Sequence, residues 1–315
     1  MTQPNGERAP IAEATSSPRL PSLGVDPDIL AEVETLQLNA REVAHGALAG
    51  IHRSLRRGTA IEFSEHKLYS PGDDIRHIDW RAYAKTDRYH VKQFEDETDL
   101  SVELIVDHSG SMGFASEGRP PKLQVARTLA AALGYLALRQ GDAAGLTTYA
   151  TEVSGELPAR ATSAHLMELL QKLTLLTADG ATGTARAVDL FAQRTRRRSV
   201  AILLSDLFDP DPQLMVAFRR LAARRHDVAV LHLLDPYELS FPYENPSLFL
   251  SMEDERKLFV HPRNLRQTFV AEMQTYLASV SRAMAEAGID YHRVSTADPP
   301  AQVLAGFLRG RERRG

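Results

Sequence analysis

From residue 101 onwards, continuous apolar stretches alternate with apolar residues at helical spacing. The apolar stretches lie at 102–106, 143–149, 200–204 and 228–234. Between them, segments 123–138, 166–176 and 214–221 carry apolar residues on one helix face. This alternation predicts βαβ units, and strands without polar alternation are typical of a parallel sheet covered by helices on both faces. We therefore predict an α/β fold with a mostly parallel central sheet flanked by helices.

Residues before 101 predict a smaller N-terminal part. Asp26 followed by Pro27 is typical of a helix start, and the apolar spacing after them predicts a helix over 26–46. Short, partly alternating stretches at 59–63 and 89–94 predict strands of a small β subdomain.

The C-terminal third predicts an insertion and then a return to the sheet. A hairpin is predicted from 248–252 paired with 257–261, after a proline-rich approach. A long helix that ends near Gly288 and a strand at 290–295 follow. Apolar spacing then predicts a terminal docking helix that carries Val303, Leu304, Phe307 and Leu308.

The chain is therefore expected to consist of three parts. Residues 1–25 are rich in Pro, Ser, Gly and Ala with few large apolar side chains, which predicts a disordered tail. Residues 26–98 are expected to form the N-terminal helix and the small β subdomain. Residues 99–310 are expected to form the α/β domain, with the hairpin insertion at about 236–262.

Composition narrows the classes of function. With 43% hydrophobic and 25% charged residues, the chain is suited to a packed core. The 37 basic against 41 acidic residues give a net charge of −4, so no nucleic acid or anionic membrane partner is expected. The absence of cysteine excludes disulfides and thiolate metal sites. No apolar segment approaches the ~20 residues of a membrane span and no signal peptide is evident, so we expect a cytoplasmic protein.

The candidate chemistry lies where the predicted strands end. The first strand runs into Asp107, Ser109 and Ser111, which alternate along the loop, and the strand at 200–204 runs into Asp206. In open α/β sheets, ligands bind beyond the carboxyl ends of the strands. Thr184, at the start of a predicted helix, offers a further hydroxyl. Such a set of carboxylate and hydroxyl oxygens suits Mg²⁺, or Mn²⁺ or Ca²⁺, rather than zinc.

This pattern of Asp-x-Ser-x-Ser, then Thr, then Asp resembles the metal-ion-dependent adhesion site of the von Willebrand factor A domain, whose Rossmann-type fold agrees with the predicted sheet. The resemblance implies that the metal ligands are Asp107, Ser109, Ser111, Thr184 and Asp206. Thr182 is an alternative for the threonine position. His108 lies between the ligand positions and is expected to point away from the metal, towards a partner.

A second motif lies upstream, in the run Pro71-Gly72-Asp73-Asp74-x-Arg76-x-Ile78-Asp79-Trp80. Together with Glu62-Phe63, Tyr69 and the segment 91–95, it is similar to the signature of the bacterial family called domain of unknown function 58. We interpret the motif as either a structural staple or a docking surface. The residues that define it are Asp73, Asp74, Arg76, Asp79 and Trp80.

Two functions of different classes follow. The family resemblance implies a non-catalytic, metal-dependent adaptor that works with a MoxR-type AAA+ ATPase, or grips an acidic residue of a client protein, in chaperone-like remodelling or maturation. The alternative is an Mg²⁺- or Mn²⁺-dependent phosphohydrolase or nuclease that uses Asp107 and Asp206, with Asp209 or Asp235 as further acids. We favour the adaptor, because two-metal enzymes usually gather more carboxylates than this motif supplies.

Overall fold

The computed structural model describes residues 27–48, 63–68, 90–94, 101–195, 197–209, 211–224 and 226–312. The predicted tail over 1–25 lies outside these residues. The described strands are β1 (Phe63–Leu68), β2 (His90–Phe94), β3 (Ser101–Asp107), β4 (Ala143–Tyr149), β5 (Val153–Arg160), β6 (Ser199–Ser205), β7 (Asp227–Leu234), β8 (Ser247–Leu250), β9 (Lys257–Val260) and β10 (Asp290–Ser295).

The described helices cover both faces of a central sheet. They are α1 (Pro27–Leu48), α2 (Lys122–Arg139), α3 (Ser163–Thr174), α4 (Thr184–Arg194), α5 (Leu214–Ala223), α6 (Pro236–Ser240), α7 (Pro262–Glu286) and α8 (Pro300–Glu312). A short 3₁₀ turn covers Gly110–Gly113. None of the described helices combines the length and the apolar character needed to cross a bilayer.

The central sheet has the strand order β10-β7-β6-β3-β4-β5. All neighbouring pairs are parallel except β4 with β5, which are antiparallel. Counted along the chain from β3, the spatial order is 3-2-1-4-5-6, which is the doubly wound arrangement. The predicted fold class, α/β with a mostly parallel sheet flanked by helices, is therefore confirmed. In this arrangement the strand order reverses at β3, because the chain continues from β3 to β4 on one side and later returns to β6 on the other, so the crevice beyond the end of β3 is the expected ligand position.

The core has two layers, one on each face of the sheet. Alternate residues of β3 point to opposite faces. Leu104 and Val106 are buried with residues of α2 and α3, whereas Ile105 is buried with residues of α4 and α5 on the other face. Because both faces are covered, the central strands carry apolar residues almost without interruption.

Helix α1, which was expected in the N-terminal part of the chain, packs into this core. Its inward residues share one buried cluster with α2, α3 and α8: Val33, Leu36, Ala40, Val43, Ala44 and Ala47. The small residues at every third or fourth position let α1 approach its neighbours closely. The helix therefore closes one face of the sheet.

Several element predictions differ from the structure. Strand β5 was not predicted, because it lies at the sheet edge, has only one buried residue and contains Gly155 and Pro158. The short helix α6 was not predicted either. Of the strand predicted at 59–63, only Phe63 lies within the described residues, and β1 continues from it to Leu68. The hairpin and the terminal helix are present, with β8 beginning one residue earlier than predicted and Leu304, Phe307 and Leu308 buried.

Candidate metal centre

The candidate site lies at the carboxyl end of β3, next to the ends of β4 and β6. The parallel register pairs Asp107 with Tyr149 and Val106 with Leu204. The last residue of β3 therefore lies beside the last residue of β4 and near Ser205, the last of β6. Helix α4 starts at the same edge with Thr184. The topology thus brings side chains that are distant in sequence to one place.

Asp107 is completely buried and accepts hydrogen bonds on both carboxylate oxygens. Its Oδ1 accepts from the backbone N–H of Ser109 at 2.9 Å, an Asx turn that reverses the chain after β3. Its Oδ2 accepts from the hydroxyl of Ser205 at 2.7 Å and from that of Tyr149 at 3.3 Å. These bonds fix the carboxylate at the base of the crevice.

The hydroxyls of the predicted ligands contact one another or the hydroxyl of Tyr149. Oγ of Ser109 is 3.3 Å from Oγ of Ser111. Oγ1 of Thr184 is 3.1 Å from the hydroxyl of Tyr149, which also contacts Asp107. The fold therefore links Asp107 to Ser109 directly and to Thr184 through Tyr149.

Thr182, the alternative to Thr184, has a different environment. Its hydroxyl donates to Oε1 of Glu253 at 2.5 Å, and its backbone N–H donates to Oε2 of the same residue at 3.2 Å. Glu253 lies in the turn of the β8–β9 hairpin. Thr182 therefore anchors the hairpin, whereas Thr184 is buried against Tyr149.

The hairpin turn packs directly on the loop after β3. A methyl group added to Gly110 would lie 1.9 Å from the carbonyl oxygen of Met252, so only glycine fits there. The N–H of Gly110 in turn donates to the carbonyl of Gly180, at 2.8 Å, in the loop before α4. The loop that carries Ser109 and Ser111 is thus held between two other loops.

Asp206 also lies at this edge of the sheet, with its own set of partners. Its Oδ2 accepts from Nζ of Lys122 at 2.7 Å, and its Oδ1 accepts from the backbone N–H of Phe208 at 3.2 Å. Lys122 also donates to Oε1 of Glu238 at 2.5 Å. Leu207, next to Asp206, has a positive φ of 55°, which leucine rarely adopts. The backbone is therefore bent sharply just after this carboxylate.

The electrostatics differ between the two aspartates. Burial, and then the nearby charge of Asp206, raise the pKa of Asp107 to about 7, although hydrogen bonds from Ser205 and Ser109 partly oppose this. Burial alone would lower the pKa of Lys122, but the carboxylates of Asp206 and Glu238 outweigh burial and raise it. Asp206 therefore has a fixed cation beside it, whereas Asp107 has only hydroxyl and amide donors.

The further acids of the phosphohydrolase hypothesis have structural roles. Oδ2 of Asp209 accepts from the N–H of Ala185 at 3.0 Å, at the start of α4. Asp235 caps α6 by accepting from Tyr237 at 2.8 Å and also binds the hydroxyl of Thr296 at 3.0 Å. Among the described residues, no group of three or more His, Asp or Glu side chains is arranged to hold a metal ion. The carboxylates predicted to coordinate are thus Asp107 and Asp206.

His108, which was expected to point towards a partner, contacts two neighbouring segments of its own chain. Its Nδ1 is 3.0 Å from the carbonyl oxygen of Thr177, and its Nε2 is 2.7 Å from the hydroxyl of Ser154. Both ring nitrogens therefore hold the loop after β3 to its neighbours. The residues of the second motif, Asp73, Asp74, Arg76, Asp79 and Trp80, lie outside the part of the chain that the structure describes.

Three residues of the site were missed in the sequence. Tyr149 could have been identified, because it ends the strand predicted at 143–149 and so reaches the same sheet edge as Asp107. Lys122 gives a weaker signal: it begins α2, where the helix dipole disfavours a cation. Glu238 belongs to the unpredicted helix α6, although Asp235, Pro236 and Glu238 form a capping-box pattern that indicates a helix start; that pattern does not indicate the contact with Lys122.

Comparison with known proteins places the chain among bacterial relatives. It is 30% identical over 268 residues to "Uncharacterized protein Rv1480" of Mycobacterium tuberculosis and equally to "Uncharacterized protein Mb1516" of Mycobacterium bovis. In both cases the match covers 84% of this chain and 83% of the relative.

Similar solved structures include an aerotolerance-related membrane protein from Bacteroides fragilis, at 17% identity and a TM-score of 0.44 over 69% of this chain and 100% of that one. BatB from Bacteroides thetaiotaomicron gives 16% identity and a TM-score of 0.42 over 68% and 99%. The SpRpn10 VWA domain gives 10% identity and a TM-score of 0.38 over 67% and 94%. The profile of the family described as "Protein of unknown function DUF58" matches residues 65–278, and the chain therefore belongs to this family.

Proposed function

We propose that the protein is a non-catalytic adaptor that binds a divalent cation, most simply Mg²⁺, and uses it to grip an acidic side chain of another protein. One observation carries this proposal. At one sheet edge the carboxylate of Asp107 accepts from the backbone N–H of Ser109, whose hydroxyl lies 3.3 Å from that of Ser111, and Tyr149 links the same carboxylate to the hydroxyl of Thr184. Asp206 lies at the same edge and raises the pKa of Asp107 by its charge.

The chemistry of these donors fits a hard cation. Carboxylate and hydroxyl oxygens are ligands that Mg²⁺, Mn²⁺ and Ca²⁺ prefer. Asp107 is a buried acid beside a second acid, and burial disfavours its charged form. A cation held by Asp107, Ser109, Ser111, Thr184 and Asp206 would relieve that cost. When bound, such an ion would supply a Lewis-acidic position that accepts a carboxylate oxygen from a partner.

We propose the class of partner from the family resemblance. The resemblance described above implies a MoxR-type AAA+ ATPase, and we propose that the adaptor presents client proteins to such an ATPase or docks on it. An acidic residue of the ATPase or of the client would then complete the coordination of the metal. The non-catalytic role is favoured because Asp209 and Asp235 cap helices instead of joining the site.

Titration calorimetry with Mg²⁺ and Mn²⁺ tests the metal site. The wild type is expected to bind one of these ions in the millimolar range or tighter, and Asp107→Asn is expected to abolish binding. Asp227→Asn provides the matched control, because Asp227 begins β7 at the opposite edge of the sheet, where it pairs with Arg311. A wild type that binds neither ion would refute the proposal.

Activity on a generic phosphoester tests the alternative. With Mg²⁺ or Mn²⁺ present, we expect no turnover by the wild type. Turnover that disappears in Asp107→Ala would instead establish a phosphohydrolase.

Binding of a purified MoxR-type ATPase, compared with and without a chelator, then tests whether the metal mediates the partnership. Ser109→Ala should weaken that binding without unfolding the protein, because it removes a single hydroxyl.

A further inference from the structure

Lys122 is a buried cation in contact with one of the candidate metal ligands. Its Nζ lies 2.7 Å from Oδ2 of Asp206 and 2.5 Å from Oε1 of Glu238. The side chains of Lys122 and Asp206 are 0% exposed, and that of Glu238 is 14% exposed. Nζ also lies 5.1 Å from the centre of the Phe208 ring. Lysine is almost never fully buried without a partner, so these two acids account for its position.

The second acid of this pair is held in a fixed position. Glu238 belongs to the capping box of α6: its Oε2 accepts from the N–H of Asp235 at 2.8 Å, and Asp235 in turn caps the helix. Asp235 is anchored in turn by Ser116, which donates to it from both backbone and hydroxyl. The cation is therefore held between Asp206 and a carboxylate that cannot easily move.

This arrangement limits what Asp206 can offer to a divalent ion. Oδ2 already accepts from Lys122, and Oδ1 already accepts from the N–H of Phe208. A divalent ion near Asp206 must share this carboxylate with a positive charge at 2.7 Å. In a buried site with little screening, that charge repels the incoming ion. The negative charge of Glu238 offsets part of this repulsion, because it partly cancels the positive potential of the ammonium group.

We propose that Lys122 is a positioning residue that sets the metal affinity of the site. Its ammonium group holds Asp206 and competes with the divalent ion for that carboxylate, while the negative charge of Glu238 partly offsets the ammonium charge. This inference rests on the proposed function in that the metal site itself is assumed. It accounts for the presence of a buried lysine and a second acid that direct coordination does not require. It also implies that the affinity is kept low by construction, which suits a site that must exchange partners.

Two variants separate this role from a purely structural one. Glu238→Gln removes the offsetting negative charge and leaves the full ammonium charge on Asp206, so the dissociation constant for Mn²⁺ should rise by about threefold to tenfold. The double variant Lys122→Met/Glu238→Gln removes both the cation and one acid. Its net charge at this position equals that of the wild type, and the methionine fills the space of the lysine stem. Because the repelling charge is gone, its dissociation constant should fall about tenfold or more.

The measurement is calorimetric titration with Mn²⁺ alone, together with the Mn²⁺-induced shift in melting temperature. The two variants are expected to change the dissociation constant in opposite directions. This distinguishes the proposed role from damage to the structure, which would weaken Mn²⁺ binding in both variants. The inference is overturned if the folded double variant binds Mn²⁺ no more tightly than the wild type. If the double variant does not fold, Glu238→Gln decides, and unchanged or tighter binding there overturns the inference.

The outcome also distinguishes this inference from the proposed function. If the wild type binds Mn²⁺ and both variants match it, only the role of Lys122 is refuted. If the wild type binds none but the double variant does, Lys122 blocks the site and the metal-dependent adaptor is refuted. If neither the wild type nor the double variant binds Mn²⁺, both the metal-dependent adaptor and the role of Lys122 are refuted.

Discussion

The hydroxyl of Tyr149 lies 3.3 Å from Oδ2 of Asp107, and both side chains are fully buried. The same hydroxyl is 3.1 Å from Oγ1 of Thr184. Tyr149 ends the strand next to the one that Asp107 ends, so a single parallel register creates this contact. A buried phenol therefore links two of the predicted metal ligands that are 77 positions apart in the sequence.

Tyr149→Phe should lower the free energy of unfolding of the metal-free protein by about 1–3 kcal/mol, because Asp107 and Thr184 both lose a buried hydrogen-bonding partner. Urea denaturation at neutral pH measures this. Tyr135→Phe is the control: Tyr135 lies on α2, away from the site, and its loss of a hydroxyl should change stability by less than about 0.5 kcal/mol. Equal stability of wild type and Tyr149→Phe would show that the phenol contributes nothing to the site.

The two threonines of the loop before α4 should differ in their effect on metal binding. Thr184→Val removes a hydroxyl that lies against Tyr149, and we expect it to abolish calorimetric binding of Mg²⁺. Thr182→Val removes the bond to Glu253 in the hairpin turn and should leave most of the metal affinity intact. The reverse result, with loss only in Thr182→Val, would move the ligand assignment to Thr182.

The sequence allowed the architecture to be predicted, and with it the position of the candidate ligands at the strand ends, because apolar strands and their ends follow local rules. Asp107 and Asp206 each end an apolar stretch, and the doubly wound topology places such ends at one edge. The contact of Glu238 with Lys122 could not be predicted, because it spans 116 positions and depends on how a helix of five residues packs. The contacts of His108 could not be predicted for a similar reason: its partners are Thr177, in the loop after α3, and Ser154, in the unpredicted edge strand β5.

Glu103 should make stability depend on pH. Burial raises the pKa of this glutamate on β3 from 4.5 to about 7, with a hydrogen bond from Ser101 as a smaller opposing effect. Well below pH 4.5 the side chain is neutral in both the folded and the unfolded chain, so its burial does not yet lower the free energy of unfolding. As the pH rises towards 7, the unfolded chain ionises first, so stability falls, by a magnitude on the order of 2 kcal/mol.

Glu103→Gln isolates this contribution, because glutamine keeps the shape of the side chain and does not titrate. Thermal unfolding of the metal-free proteins at pH 5 and pH 8 should show a smaller difference between the two pH values for the variant than for the wild type. The variant should also be the more stable protein at pH 8. An identical pH dependence in both proteins would mean that Glu103 ionises freely in the folded state.

Gly110→Ala should disrupt both the hairpin and the candidate metal loop. The added methyl would lie 1.9 Å from the carbonyl oxygen of Met252, a backbone atom that cannot rotate away. Either the hairpin turn or the loop that carries Ser109 and Ser111 must therefore shift. We expect a loss of stability of about 2 kcal/mol or more, and weaker Mg²⁺ binding if the loop is the part that moves.

Gly306→Ala is the matched control, because a methyl there meets no atom within 4 Å and the residue lies inside α8. It should leave metal binding unchanged and stabilise the helix by up to about 1 kcal/mol. Calorimetric titration and urea denaturation of both variants separate the two effects of Gly110→Ala. Lower stability with full Mg²⁺ affinity would show that the hairpin yields and the loop keeps its geometry. Unchanged stability would contradict the close packing of the hairpin turn on Gly110, since a side chain would then fit where the backbone of Met252 leaves no room.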